Sequence, residues 1–311
     1  MLGRVLLIAN PTAQNSAAAE AIDVAAGLVS VLPGCESLEV ATTHAPGHAK
    51  DIASKAQGFD TFVALGGDGL VHEVCNGIMM RDDVAVRSDA ARIQMGLIPF
   101  GSGNDYARTL GMSTDLKTAA VQLAEARPAM LDVGVCNGEY FCETLSFGLD
   151  AAIALDTVER RKRTGKTGTQ LYLASGIDQL LHHLDTHTAT VRFDDLPPQT
   201  VDMHLLAVQI GRTYGGGFAV CPEADAQDGL FDICIARAPM TLAQAGLTFA
   251  LAKDGHHTKR KKIEFHRAKK VSISFEKSLP VQIDGEKMET LMFDVSCIRQ
   301  SLCVLRSEKA C

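Results

Sequence analysis

No apolar run in this 311-residue chain approaches the about 18 residues that a membrane-crossing helix needs, so no spanning segment is expected. The opening "MLGRVLLIANP" holds one arginine and an apolar stretch of only five residues, too short for a secretory leader; it reads as a first strand. No Cys-x-x-Cys pair occurs among nine scattered cysteines, which argues against a disulfide or zinc framework and for buried free thiols in a reducing compartment. Positive charge is not in excess: 30 Lys and Arg against 37 Asp and Glu give a net charge of −7. The whole molecule is therefore no polyanion binder, no nucleic-acid partner is expected, and any anion must be met by local patches. Repeats and low-complexity linkers are also missing. So are several well-known site signatures. "RRKRTGKTG" contains Gly-Lys-Thr, but Arg160 stands where a P-loop needs glycine, and neither Gly-x-Ser-x-Gly nor His-Glu-x-x-His is present.

What is present suits a globular protein of two domains, with 46% apolar and 22% charged residues. Up to about residue 131, strand and helix patterns alternate. "RVLLIA" (4–9), "LEVATT" (38–43), "FVAL" (62–65) and "MGLIPF" (95–100) read as buried strands, with helices over 16–32 and 46–57. Such alternation implies βαβ units and a parallel sheet, whose ligands bind at the carboxyl ends of the strands. From residue 132 strand patterns dominate: 140–148, 188–193, 204–211, 229–236, 270–275, 279–284 and 297–306, with helical patterns near 151–183 and 241–253. This part reads as a β-sandwich.

Two of the early strands end in glycine loops. After "FVAL" come Gly66, Gly67, Asp68 and Gly69, then a helix expected from about Leu70, with Val71, Val74, Cys75 and Ile78 on one face. Glycine lets backbone approach a phosphate closely, and the helix start adds partial positive charge. Asp68 does not suit phosphate directly; it suits a magnesium ion, its waters or a hydroxyl. A tight turn with Asp as helix cap explains one such loop equally well. The second loop, Gly101-Ser102-Gly103 before Asn104-Asp105, repeats the plan, and two loops on neighbouring strand ends suit a triphosphate. Neither loop is the dinucleotide-type Gly-x-Gly-x-x-Gly. His183 and His187 are spaced one helical turn apart and could bind metal, though surface histidines are the plainer reading.

"GGDGLVHEVCNG" and "PFGSGNDYAR" resemble the nucleotide-binding signatures of the diacylglycerol kinase catalytic domain family, which includes bacterial soluble lipid kinases and the sphingosine kinases. "NPTAQNS" (10–16), "PEADAQDGLFDI" (222–233) and "VQIDGE" (281–286) match its other motifs in order, and Asn104-Asp105 is similar to the bacterial branch. The resemblance implies a nucleotide-binding α/β domain over 1–131, similar to phosphofructokinase and NAD kinase. A β-sandwich lipid-binding domain over 132–311 would follow, its C-terminal segment returning to the first domain. The implied activity is transfer of the γ-phosphate of ATP to the hydroxyl of diacylglycerol or a related lipid alcohol, with magnesium as cofactor.

By the same resemblance Asn10, Thr43, Gly66, Gly67, Asp68, Gly69, Glu73, Gly101, Ser102, Asn104 and Asp105 contact the nucleotide. Asp225, Asp228 and the carbonyl of Leu230 hold a magnesium ion that links to Asp68. Asp284 is the catalytic base alongside Asp68, and Asp132 and Glu286 join the acidic network. From the residues alone, "DAQDGL" is also an ordinary β-turn, and Asp284-Gly285 also a hairpin turn. One departure stands out. The family usually has threonine where this chain has Leu70, which offers no hydroxyl to phosphate or helix end. Restoring threonine is expected to keep or raise activity.

A lipid kinase must reach a bilayer. The basic runs "RRKRTGK" (160–166) and "KRKKIEFHRAKK" (259–270) are candidates for reversible contact with the inner membrane surface, the alternative being solvated ends and a lysine-blunted strand edge. The expected location is cytoplasmic and peripheral, and a homodimer is an open expectation. Two other readings compete: an NAD kinase-like enzyme, disfavoured because no Thr-Pro-Thr-Gly-Ser-Thr type run occurs, and a non-catalytic nucleotide- or lipid-binding regulator, which only Leu70 favours.

Overall fold

The computed structural model describes residues 2–11, 17–81, 92–165 and 169–307; residues 12–16 of the opening motif and Lys166 lie outside them. The chain divides into two units, Met1–Leu131 with Gln300–Cys311, and Asp132–Arg299.

The first unit runs β1 (Gly3–Ala9), α1 (Ala17–Ser30), β2 (Cys35–Thr42), α2 (His48–Lys55), β3 (Thr61–Gly66), α3 (Asp68–Met79), β4 (Gln94–Pro99), α4 (Asp105–Thr109) and α5 (Leu116–Gln122). Strand β1 pairs in parallel with β2 on one side and β3 on the other, and β4 pairs in parallel with β3. The final strand of the chain adds to β4, with Val304 opposite Met95. Val5, Leu6, Leu7, Ile8 and Ala9 are all buried, as expected where helices cover both faces of a parallel sheet. From β1 the chain winds outward to β2 and then returns to β3 on the opposite side. In open α/β sheets such a reversal, here at the carboxyl ends of β1 and β3, is where ligands bind.

Helix α3 starts at Asp68 behind an extended Gly67, not at Leu70 as the apolar spacing suggests. Amphipathic spacing marks the buried face but not the residue where helical dihedrals begin. Helix α5 has no marker beyond its cap, in which Asp115 accepts the N–H of Thr118.

The second unit is antiparallel. After β5 (Arg127–Cys136), which crosses the unit boundary, come β6 (Glu139–Phe141), β7 (Thr144–Gly148), α6 (Leu149–Thr164), α7 (Thr169–His182), β8 (His187–Phe193), β9 (Gln199–Gln209), β10 (Phe231–Arg237), α8 (Leu242–Ala252), β11 (Ile263–Ala268), β12 (Lys270–Phe275), β13 (Val281–Ile283), β14 (Glu286–Lys287) and β15 (Met292–Arg306). The long β9 pairs with β8 through its first half and with β7 and β10 through its second. Their inward side chains form one core, in which Phe147 packs edge-on to Phe293 at 4.8 Å and Phe141 stacks on Phe231 at 5.6 Å.

Several strand expectations needed revision. The run 140–148 is two strands, broken at Cys142-Glu143, and the helical run 151–183 is two helices. β5 carries Pro128 and Gly134, which hide it from a propensity reading. β11 is polar at alternate positions and sits on the "KRKKIEFHRAKK" run, so charge masked its strand pattern.

Candidate active site

In the first unit the parallel sheet gathers the nucleotide candidates at one edge. Asn10 follows β1, Thr43 follows β2, Gly66 to Asp68 close β3, and Gly101 to Asp105 follow β4. Thr43 is buried and its N–H donates to the Ala9 carbonyl at 2.9 Å, tying the end of β2 to the end of β1.

The two glycine loops touch through their backbones. The Phe100 N–H donates to the Gly66 carbonyl at 2.7 Å, and a Cβ placed on Gly101 would lie 2.4 Å from the Gly67 Cα. Asp68 then joins them: its Oδ2 accepts the N–H of Asn104 and its Oδ1 that of Asp105, both at 2.9 Å. Asn104 closes the second loop on itself. It adopts a left-handed conformation, its Oδ1 accepts the Gly101 N–H at 2.9 Å, and its Nδ2 donates to the Gly101 carbonyl. Burial, with the neighbouring Asp105 carboxylate, pushes Asp68 up to about 7 against the pull of the backbone amides. A cation placed at this edge would draw Asp68 back to its anionic form. Asp105 is buried and paired with Arg108 at 3.0 Å, and Arg108 also donates to the Gly103 carbonyl. The spacing of three residues between Asp105 and Arg108 on a helix is the local signal in the sequence for this pair.

Glu73 has a structural occupation. Its two carboxylate oxygens accept the N–H groups of Gly47 and Ala49 at 2.8 and 2.9 Å, so it caps α2 and steadies the segment that follows Thr43. Leu70 is only 9% exposed and folds over Gly66, where an added Cβ would meet its Cδ2 at 2.6 Å. This changes the expectation for Leu70→Thr. Position 70 lies inside the first turn of α3 and its side chain packs in the core of the loop. The variant should therefore lose stability by about 1–3 kcal/mol, with no gain in turnover. Urea unfolding checks this; an unchanged midpoint would show that the packing contributes nothing.

In the second unit, Asp284 and Gly285 form a two-residue hairpin turn between β13 and β14, with φ of 46° and 92°. Positive φ at both positions is the hairpin geometry that Asp-Gly favours. The Asp284 carboxylate is nonetheless buried. It accepts the N–H groups of Cys142, Glu143 and Thr144 at 2.9, 3.0 and 2.9 Å, at the break between β6 and β7. Glu286, by contrast, is exposed on β14.

The "DAQDGL" segment is a turn held by its own carboxylates. Asp225 Oδ1 accepts the Gln227 N–H at 3.1 Å, and Asp228 Oδ1 accepts the Leu230 N–H at 2.9 Å. Asp132 Oδ2 accepts the Gly229 N–H at 2.7 Å, and the Asp132 N–H donates to the Ala226 carbonyl, so β5 is pinned to this turn. The oxygen-only donor set suits a hard cation. Among the described residues no group of three or more His, Cys, Asp or Glu side chains could hold a metal, so an ion at this turn would rest on two carboxylates and take the rest of its shell from water or backbone. Asp228 also pairs with Arg267 of the second basic run.

His183 and His187 do not share a helix face, because α7 ends at His182 and His187 opens β8; that candidate metal pair is withdrawn. In the first basic run Arg160 pairs with Asp156 and Asp178, leaving Arg161, Lys162 and Arg163 exposed at the end of α6. Asp150 went unnoticed in the sequence. It is buried at the start of α6, takes a hydrogen bond from the Tyr172 hydroxyl at 3.1 Å, and is pushed up to about 6, chiefly by burial.

A parallel sheet presenting paired glycine loops, followed by an antiparallel β unit, is the fold shared by diacylglycerol kinases and NAD kinases. A diacylglycerol kinase structure from Bacillus anthracis str. Sterne superposes with TM-score 0.79 at 22% identity, covering 99% of this chain and 98% of that one. An Archaeoglobus fulgidus NAD kinase solved with ATP gives 0.53 at 13% identity, covering 98% and 95%. In sequence, the diacylglycerol kinase catalytic domain model matches residues 4–136, and the YegS C-terminal NAD kinase beta sandwich-like domain model matches 143–306. A "Probable lipid kinase YegS-like" protein of Pseudomonas aeruginosa (strain UCBPP-PA14) is 30% identical over 71% of this chain and 69% of its own length. "Diacylglycerol kinase" of Staphylococcus saprophyticus is 28% identical over 75% and 72%. The chain belongs to the diacylglycerol kinase catalytic domain family.

Proposed function

We propose that this protein is an ATP-dependent lipid kinase that phosphorylates the hydroxyl of diacylglycerol or a related lipid alcohol. The observation that carries this reading is the clamp of Asp68 on the two glycine loops, in a chain of this family. Backbone N–H groups and glycines that lack a Cβ, at the carboxyl ends of β3 and β4, are suited to triphosphate, and Thr43 and Asn10 stand at the same sheet edge. Asp284 is proposed to take the proton from the lipid hydroxyl, its carboxylate held in one orientation by three backbone amides. Bound magnesium supplies neutralisation of the charge developing on the transferred phosphoryl group, and Asp225, Asp228 and the Leu230 carbonyl are the residues that would hold such an ion.

No helix among the described residues is long and apolar enough to cross a membrane. We take reversible contact with the inner membrane surface to run through the basic segment at Lys259, Arg260, Lys261 and Lys262, of which Lys259 and Lys261 are exposed. Near anionic lipid each basic residue contributes about 1 kcal/mol. The test is phosphate transfer from labelled ATP to a panel of diacylglycerol, monoacylglycerol, sphingosine and NAD in mixed micelles with and without anionic lipid. Label in a lipid alcohol, enhanced by anionic lipid and weakened by salt, is the expected result. Label in NAD alone, or in none of the acceptors, would overturn the reading.

A further inference from the structure

The acidic turn at 225–230 already has a cation. Arg267 lies on β11 directly opposite Asp232 of β10, a register that projects its guanidinium back over the start of β10. Its Nη2 pairs with Asp228 Oδ2, and its Nε lies 3.5 Å from Asp232 Oδ1. Asp228 Oδ1 is meanwhile engaged by the Leu230 N–H. Both oxygens of the carboxylate that would bind an ion are thus in use, one of them by a permanent positive charge. The charged surroundings of the turn include Glu223, Asp225, Asp228, Asp232 and Asp132, whose Oδ2 holds the Gly229 N–H, against Arg267 and Arg212, which donates to the Ala224 carbonyl. Arg299 lays its aliphatic stem over Gly229, where an added Cβ would meet its Cδ at 2.9 Å.

We propose that Arg267 is the resident counter-ion of this turn, and that a divalent cation gains Asp228 only by displacing it. This rests on the reading that the turn takes the ion. Two consequences follow from electrostatics. The guanidinium neutralises the turn without metal, so the loop keeps its shape in the metal-free protein. It also stands as a like charge where the ion must sit, so occupancy by the ion and release of Arg267 are one event. A guanidinium spreads its charge over a fork that can meet two carboxylates at once; a lysine ammonium is a single point and cannot serve both Asp228 and Asp232 equally.

The test is binding of Mn²⁺ to the full-length chain without nucleotide or lipid, followed by the loss of the free-ion magnetic resonance signal, with Mg²⁺ as competitor. Arg267→Met keeps the stem and removes the charge; it should bind Mn²⁺ at least about tenfold more tightly than the parent. Adding Asp228→Asn should abolish the gain. Arg299→Met, which removes a positive charge beside the turn but not the Asp228 pair, should change affinity far less. Melting in chelator should be lower for Arg267→Met than for the parent and should be restored by Mn²⁺. Should the methionine variant fail to fold, Arg267→Lys provides the second measurement, with a smaller gain expected. Equal or weaker Mn²⁺ binding in the Arg267 variants, with parent binding that depends on Asp228, would overturn the competition while leaving the ion at the turn. No Mn²⁺ binding by any of the proteins up to millimolar concentration would overturn both, and the lipid-labelling assay would still judge the kinase reading separately.

Discussion

Asp284→Asn is expected to cut lipid phosphorylation by about 10²–10⁴-fold while ATP affinity stays within a factor of about two. The nucleotide candidates all belong to the first unit and Asp284 to the second, so the two readouts should separate. The variant needs a control, because the carboxylate also accepts three backbone N–H groups. An asparagine keeps one acceptor oxygen and turns an NH₂ toward amide donors. Hydrogen bonds to a charged group contribute about 1.5–3 kcal/mol each, so some loss of stability accompanies any loss of chemistry. The two roles differ in how they respond to conditions. A lost base leaves a folded protein whose melting temperature is close to the parent's and whose turnover stays low at every temperature. A lost anchor lowers the melting temperature, and activity recovers at lower temperature. Near-full turnover in a folded Asp284→Asn protein would reduce Asp284 to a hairpin residue.

Gly101→Ala should abolish measurable ATP binding at concentrations that saturate the parent. The added methyl would sit 2.4 Å from the Gly67 Cα and 2.8 Å from Asn104 Oδ1. The first obstacle is backbone, with no rotamer to change, so the loops must part. Overpacking of this kind costs about 1–3 kcal/mol, and parting the loops also strains the Asp68 bonds to Asn104 and Asp105. Every 1.4 kcal/mol of that cost that falls on the binding-competent loop geometry lowers affinity about tenfold. Gly27→Ala is the matched control, since a Cβ there meets nothing within 4 Å. Isothermal titration with ATP and magnesium decides the matter; parental affinity in Gly101→Ala would mean that the loop contact is incidental to nucleotide binding.

Much of this site was legible in the chain because its parts are local. A strand ending in Gly-Gly-Asp-Gly, and another ending in Gly-Ser-Gly-Asn-Asp, each declare a loop at a sheet edge without help from distant residues. Asp284-Gly285 likewise declares a hairpin, and the hairpin is there. The packing of Leu70 was not legible for a related reason. Spacing reports which face of a helix is buried but not what lies beneath it, and the partner of Leu70 is a bare glycine four residues earlier that only the turn brings into contact. Glu73 offered no local hint that its carboxylate would reach back to Gly47 and Ala49.

The sequence by itself determined the alternation of strands and helices in the first unit, the strand-rich character of the second, the two glycine loops and the family. These follow from period, turn chemistry and short motifs, all encoded within a few residues of one another. Only the tertiary structure decided that Asp68 is the clamp between the loops, that Asp284 is held by the amides of residues 142–144, and that Arg267 faces Asp228. Each of these pairs a side chain with groups 36 to 142 residues away along the chain. Such contacts are set by strand register and sheet order, which no local pattern specifies, because charge and hydrogen-bonding groups act through space and their partners are chosen by the fold.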